Sequence, residues 1–412
     1  MAITVSLEGI LFDKVQKDMI LQHIEKICEA KAHPFEMNQH EGQIYICPEG
    51  IVHIELQHDY LKLWTQTSLV GPGYHAYICE LFQEIQDNPV VLILDDECEY
   101  LEDHDFQRIK DQYFYPYLYT LLSNMKAADE GCEATYAWDD KHYLPLSRNN
   151  CVITPLGAFN LRELTSHSLQ QAAQRMFIWN ELEKDGRFYL NCALVMLWCE
   201  CRFEASHSDQ DYRINQLICD CLEQAYALDP TLTFPLVQYM ELCHLLKRPM
   251  LIQDVKQNEE EIGYRLESVL YPYGNWMIYE AGSCQQEIDD NTLKLHYYDP
   301  KTHEWLSTMR INGYISDERI KSFATSFVSH PQSVDEFEWE DEGIQLKGCI
   351  YRLNDETNTT MIQAQAIYDN EMLMLMIECV DASQIERILE NLHYLLYLEP
   401  ISRGADIFDF NL

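Results

Sequence analysis

Apolar and polar residues alternate along the first part of the chain, and the alternation reads as strands. ITVSLEGILF (3–12) has period two, the pattern of a half-buried strand, whereas DMILQHIEKICEAK (18–31) places Ile20, Leu21, Ile24 and Ile27 at helical spacing. GQIYICPEG (42–50) and IVHIELQ (51–57) predict two strands joined by a hairpin turn at Pro48, Glu49 and Gly50, and LWTQT (63–67) continues the sheet. GPGYHAYICELFQEI (71–85) reads as a glycine-proline turn feeding a helix. VVLIL (90–94) reads as another strand, and FQRIKDQYFYPYLYTLLSNM (106–125) as a long helix. Residues 1–127 are therefore expected to form an α+β domain.

A second region, 150–255, reads as helical. NLRELTSHSLQQAAQRMFIWNELEK (160–184), RFYLNCALVMLWCECRFEA (187–205) and YRINQLICDCLEQAYAL (212–228) lie between breakers such as KDG, HSD and DPT. CLEQAYALDP resembles the end of a tetratricopeptide-like helix. A single such segment predicts a helical domain and not a solenoid, because repeat arrays need several stacked units at fixed period.

The third region, 260–400, returns to strands: GYRLESVLYP, NWMIYEA, LKLHYYDP, IQLKGCIYRL, TMIQAQAIYDN and EMLMLMIECV. A helix at SDERIKSFATSFVS interrupts them. DASQIERILENLHYLLYL, opened by an Asp/Ser cap, predicts a closing helix. The fold class expected for the chain is α+β and multidomain.

Composition narrows the function. A chain of 412 residues exceeds what one core holds, and 47% hydrophobic with 12% aromatic residues is ample to build several. Against 29 Lys+Arg stand 68 Asp+Glu, a formal charge of −39. That charge opposes direct binding to nucleic acid or an anionic membrane and suits a basic protein partner. The beginning of the sequence shows no basic segment followed by an apolar one, and no run of about 18 apolar residues occurs, so a cytoplasmic chain is expected. Fifteen cysteines, scattered and often inside apolar runs, read as reduced, buried thiols.

The densest charge is PVVLILDDECEYLEDHDF (89–106), where an apolar run ends in Asp95, Asp96, Glu97, Glu99, Glu102, Asp103 and Asp105. Carboxylates at the end of a strand are where a hard cation would be held, but no Gly-rich phosphate loop accompanies them. The expectation is a solvated or partner-facing acidic loop, with no metal and no cofactor. Aromatic residues follow at once in DQYFYPYLYTLL, among them Tyr113 and Tyr117, which suit an interface that buries a ring and keeps a hydroxyl. A second stripe, SVDEFEWEDEG (333–343), sets Phe337 and Trp339 among carboxylates including Glu338, Glu340 and Asp341. It reads equally as a partner surface or as a solvated edge hairpin with both rings turned inward.

Other chemistry is weaker. Cys199 with Cys201 and Cys219 with Cys221 have Cys-x-Cys spacing, and in a helix such positions point about 200° apart and do not grip one ion. His207 is a further candidate ligand there, and His244 beside Cys243 is ambiguous. His75 and Cys79 share a helix face at i, i+4, and Cys79 reads as core. No Gly-x-Ser-x-Gly elbow, His-Glu-x-x-His helix or dinucleotide fingerprint occurs, so no catalytic residue is assigned.

In the third region, the early Tyr/Trp strand pair, middle helix, run of antiparallel strands and final helix with a short Ile-Leu stripe resemble the PsbP-like α/β/α sandwich. That resemblance implies a binding or chaperone-like fold. In its acidity, lack of an export signal and several small domains, the chain resembles immunity or accessory proteins of bacterial polymorphic toxin systems. The function so implied is a non-enzymatic binder that occludes the basic active surface of a toxin or effector. Two alternatives stay open: a chaperone or adaptor for a secreted effector, and a metal-dependent hydrolase using Asp95, Asp96 and His104.

Overall fold

The computed structural model describes residues 2–127, 134–139, 142–146, 150–204, 209–258, 260–289, 294–312, 318–353 and 359–398. The fold is α+β, with several antiparallel sheets and helices packed against them. No helix among the described residues is long and apolar enough to cross a membrane.

The first segment holds β1 (Thr4–Ile10), α1 (Lys14–Ala30), β2 (Phe35–Met37), β3 (Glu41–Cys47), β4 (Gly50–Gln57), β5 (Tyr60–Gln66), α2 (Pro72–Gln86) and β6 (Ile93–Asp96). The six strands form one antiparallel sheet in the order β2-β3-β4-β5-β1-β6. Period-two alternation sends Val5, Leu7, Val52, Ile54, Leu61 and Leu63 inward, where all are buried, and α2 packs on β1 and β6 from that side. The other face carries the polar half of the same pattern. Asp13 caps α1 by accepting from the Gln16 amide, and the hairpin turn places Glu49 at φ 60°, as the Pro-Glu-Gly expectation required.

Strand β6 starts three residues later than VVLIL suggested, because its register is set by β1: Val5 faces Asp96 and Glu8 faces Ile93. After β6, the anticipated long helix forms as a short turn from Phe106, a widened turn over Lys110–Phe114, and α3 (Tyr115–Ala127).

The middle segment is less helical than its composition predicts. It opens with a hairpin, β7 (Cys151–Thr154) and β8 (Gly157–Asn160), that the pattern did not reveal. Residues 177–185 are not helical either. Trp179 donates its amide to the Val70 carbonyl and accepts from Gly73, so this stretch is held extended against the start of α2. A side chain at Gly73 would stand 2.1 Å from the Glu181 carbonyl and 2.2 Å from the Trp179 ring, so only glycine permits this approach. Short helices over Leu161–Ser166 and Leu169–Met176 form within the stretch read as helical, and α4 (Gly186–Val195), α5 (Asp209–Leu228) and α6 (Leu236–Leu246) complete the segment.

The last segment contains β9 (Ser268–Tyr273), β10 (Trp276–Ala281), β11 (Gln285–Asp289), β12 (Lys294–Asp299), β13 (Glu304–Asn312), α7 (Glu318–Phe327), β14 (Ser333–Asp341), β15 (Ile344–Arg352), β16 (Thr360–Tyr368), β17 (Glu371–Cys379) and α8 (Ile385–Leu392). Seven strands make an antiparallel sheet in the order β11-β12-β13-β17-β16-β15-β14. Strands β11 and β13 extend it beyond the strands read from the sequence. The closing helix is shorter than expected: Asp381 caps the turn Ala382–Gln384 that leads into it, but Leu396–Tyr397 turn into a strand on Trp276–Met277. One continuous apolar cluster runs from Ile3 through Trp179 to Leu395 and joins all three segments.

Candidate functional site

The acidic loop is sorted by the pleat of β6. Ile93 and Asp95 point to the outer face, whereas Leu94 and Asp96 point inward. Asp96 accepts from His75 Nε2 at 2.9 Å and from the amides of Cys98 and Leu101 at 2.9 and 3.2 Å. Burial opposes its ionisation, but the hydrogen bond and charge of His75 together with the two amides hold the carboxyl down at about 2. Adjacent carboxylates at a strand end therefore do not converge here: Asp95 lies on one face and Asp96 on the other. His104 is exposed, its ring edge-on to Tyr100.

His75, Asp96 and Cys98 have donor atoms all within 4.8 Å of one another, the spacing of a metal-ligand group. Burial and the neighbouring Asp96 carboxylate push the Cys98 thiol far up, and Cys79, which faces the same carboxylate, likewise. Both thiols stay protonated near neutrality. His75 Nδ1 lies 2.9 Å from the Thr67 hydroxyl, so hydroxyl, imidazole and carboxylate stand in line. Thr67 and His75 have no exposed surface, and Thr67 also reaches the Ile3 carbonyl. The arrangement fastens β1, α2 and β6 together and offers no path for a substrate.

The remaining loop carboxylates divide between internal partners and solvent. Glu97 accepts from the Thr4 amide at 2.7 Å, Asp103 is gripped by Arg108 at 2.8 and 3.1 Å, and Asp105 caps the turn that starts at Phe106. Asp95, Glu99 and Glu102 are exposed. Tyr113 is half-buried beside Arg108, and Tyr117 turns its hydroxyl inward toward Ser68 and Tyr136.

The second stripe is the edge strand β14. Trp339 stacks on His393 at 3.9 Å and on Phe337 at 5.2 Å, so both rings turn inward, with Phe337 covering Gly348. Glu340 and Asp341 remain exposed, and Glu338 pairs with Lys347 at 2.7 Å.

The members of the cysteine pairs face separate neighbours: Cys199 approaches the Pro155 carbonyl, Cys201 approaches Asn215, and Cys219 faces Cys243. Cys199, Cys201, Cys219 and Cys243 are all buried free thiols. His207 lies outside the described residues.

A site the motif search missed lies on the open face of the first sheet. The register aligns Glu36, Gln43, His53, Trp64, Ser6 and Asp95 in one row across all six strands. At spacings of roughly 4.8 Å per strand the row is about 24 Å long. A neighbouring row runs Glu41, Glu55, Lys62, Glu8 and Ile93. Five carboxylates thus face outward against one lysine. Near β2 the face dips into an open cleft of about 430 Å³ lined by Glu36, Glu41, Glu55, His53 and Trp64 among others. Trp64 Nε1 donates to Glu55 at 3.1 Å, and the His53 ring stacks on the indole at 4.7 Å. The one legible signal was a tryptophan at a polar-face position of an alternating strand.

A buried acidic group sits elsewhere, between β10, β12, β13 and α8. Glu280, Asp299 and Glu304 are almost fully buried, with Arg387 bonded to Glu304. Burial, then the Glu304 charge, pushes Glu280 up to about 8. A raised carboxyl holds its proton when folded and loses it when unfolded, so its stabilising contribution is intact below the unfolded value and declines as pH rises toward 8. The decline approaches about 1.4 kcal/mol per pH unit. Urea unfolding of wild type and Glu280→Gln between pH 5 and 9 measures this, and the variant is expected to gain on wild type steadily with pH.

No protein-family model matches the chain, and no curated protein matches its sequence.

Proposed function

We propose that the chain is an acidic, cytoplasmic protein-binding protein that neutralises a basic toxin or effector by covering its active surface. The observation that carries this reading is the outer face of the first sheet, where Glu8, Glu36, Glu41, Glu55 and Asp95 align around Trp64 and His53. At the edge of that face Val91 and Ile93 are largely exposed beside Asp95, which supplies apolar area within an acidic rim. A formal charge of −39 steers a cationic partner at long range, while the rings supply the desolvated centre that fixes it.

Affinity capture from native lysate at about 0.1 M and about 1 M salt tests the reading, since screening shortens from about 10 Å to about 3 Å between the two. The expected result is a basic protein retained at low salt, released at high salt, and bound more slowly by an Asp95→Asn, Glu99→Gln, Glu102→Gln variant. Retention that is independent of salt and of these charges would overturn it.

A further inference from the structure

The geometry points to the cleft of Glu36, Glu41, Glu55, His53 and Trp64 as a recognition pocket for a guanidinium group, the side chain of an arginine on a protein partner. This rests on the basic-partner reading and narrows it to one residue type and one place.

Concavity singles out this part of the acidic surface. In the loop at 95–105, Asp96, Glu97, Asp103 and Asp105 are already engaged within the protein, whereas the open cleft has a volume of about 430 Å³, room for a side chain of arginine size. Aromatic rings line the cleft: the imidazole of His53 stacks on the indole of Trp64 with 27° between their planes, so the pair offers the ring faces turned away from each other. A planar, weakly hydrated cation stacks on such a face by charge–quadrupole attraction.

The carboxylates of Glu36, Glu41 and Glu55 line the same cleft as the rings. Glu55 Oε1 is engaged by the Trp64 indole N–H at 3.1 Å, which fixes the carboxylate beside the ring. Glu41 stands directly opposite Glu55 on the neighbouring strand. Like charges facing one another across a strand pair are unfavourable by themselves, and a shared cation relieves them. On the next strand pair, Tyr45 holds its hydroxyl 3.3 Å from Glu36 and 2.7 Å from Gln43. Lys62 faces Glu55 and Glu8 from β5 but does not line the cleft.

An arginine fits this set better than a lysine. Its fork donates in two directions within one plane and stacks through its face, while an ammonium is a compact, strongly hydrated point charge.

The test uses the full chain and three probe peptides, N-acetyl-Gly-Arg-Gly-amide and its lysine and citrulline counterparts, with the Gly42 amide and Trp64 indole N–H resonances followed by NMR. The arginine peptide is expected to give saturable shifts at both reporters and to bind about fivefold tighter than the lysine peptide, with citrulline giving no saturation. Glu55→Gln keeps an acceptor for the indole N–H and is expected to weaken arginine about tenfold, while Glu342→Gln at a distant turn changes nothing. Equal binding of arginine and citrulline, equal binding of arginine and lysine, or an unaffected Glu55→Gln variant overturns the assignment. The two readings fail separately: a basic partner captured equally well by Glu55→Gln leaves the basic-partner reading standing and removes the cleft from it. Arginine binding in the cleft with no salt-sensitive partner does the reverse.

Discussion

Asp96→Ala is expected to lower the unfolding free energy by about 3–5 kcal/mol, whereas Asp95→Ala, one residue away, stays within about 0.5 kcal/mol of wild type. The contrast follows from the pleat. The Asp96 side chain is 7% exposed and satisfies the His75 imidazole and the amides of Cys98 and Leu101. Alanine leaves all three donors buried or half-buried without their acceptor, and an unmade bond costs more than a made one contributes. Asp95 is exposed and its loss strands nothing.

The same carboxyl also sets an acid limb. With its folded value at about 2, below the ordinary carboxylate range, Asp96 contributes stability that is fully present above the unfolded value and lost as pH falls toward 2. That contribution is on the order of 2 kcal/mol, and the limb is absent in Asp96→Ala. Urea midpoints for the three proteins at pH 2.5, 4 and 7 measure both effects. Equal losses at positions 95 and 96 would show that the inward placement of Asp96 is not what stabilises the fold.

Arg265→Leu is expected to cost a similar amount, about 3–5 kcal/mol. Arg265 is 5% exposed, yet it donates to the Gly282 carbonyl at 2.6 Å, the Cys284 carbonyl at 3.1 Å and the Tyr271 hydroxyl at 3.1 Å. Its guanidinium lies 5.1 Å from the Tyr143 ring centre. Burial disfavours its charge, but Tyr271, Tyr143 and Glu200 more than offset that and keep the guanidinium protonated. Leucine fills part of the volume and donates nothing, leaving two buried carbonyls short of partners. Arg265→Lys is expected to recover only part of the loss, since one ammonium does not reproduce a planar fork that serves three acceptors. Chemical denaturation of the three proteins separates lost charge from lost geometry: a lysine variant as stable as wild type would mean that charge alone matters.

Elements with one buried face were legible from the chain alone. In β4, Val52, Ile54 and Leu56 are buried between surface residues, and α1 buries Ile20, Ile24 and Ile27 as its spacing required. Segments whose partners are distant in sequence were not. MFIWNELEK has helical composition, but Trp179 bonds to Val70 and Gly73, about a hundred residues earlier. The end of HYLLYL likewise leaves its helix for Trp276 and Met277. In both places long-range backbone pairing overrides local propensity.

The same division runs through the candidate site. Composition and alternation by themselves determined that the protein is acidic, that its class is α+β, and that polar positions of the early strands form a face. Only the tertiary structure decided which acids share a place, because strand register is set by pairing and turn geometry across many residues. Register put Asp96 on His75 and sealed it, turned Trp339 onto His393, and carried Glu36, Glu41, Glu55 and Trp64 from four different strands to one cleft.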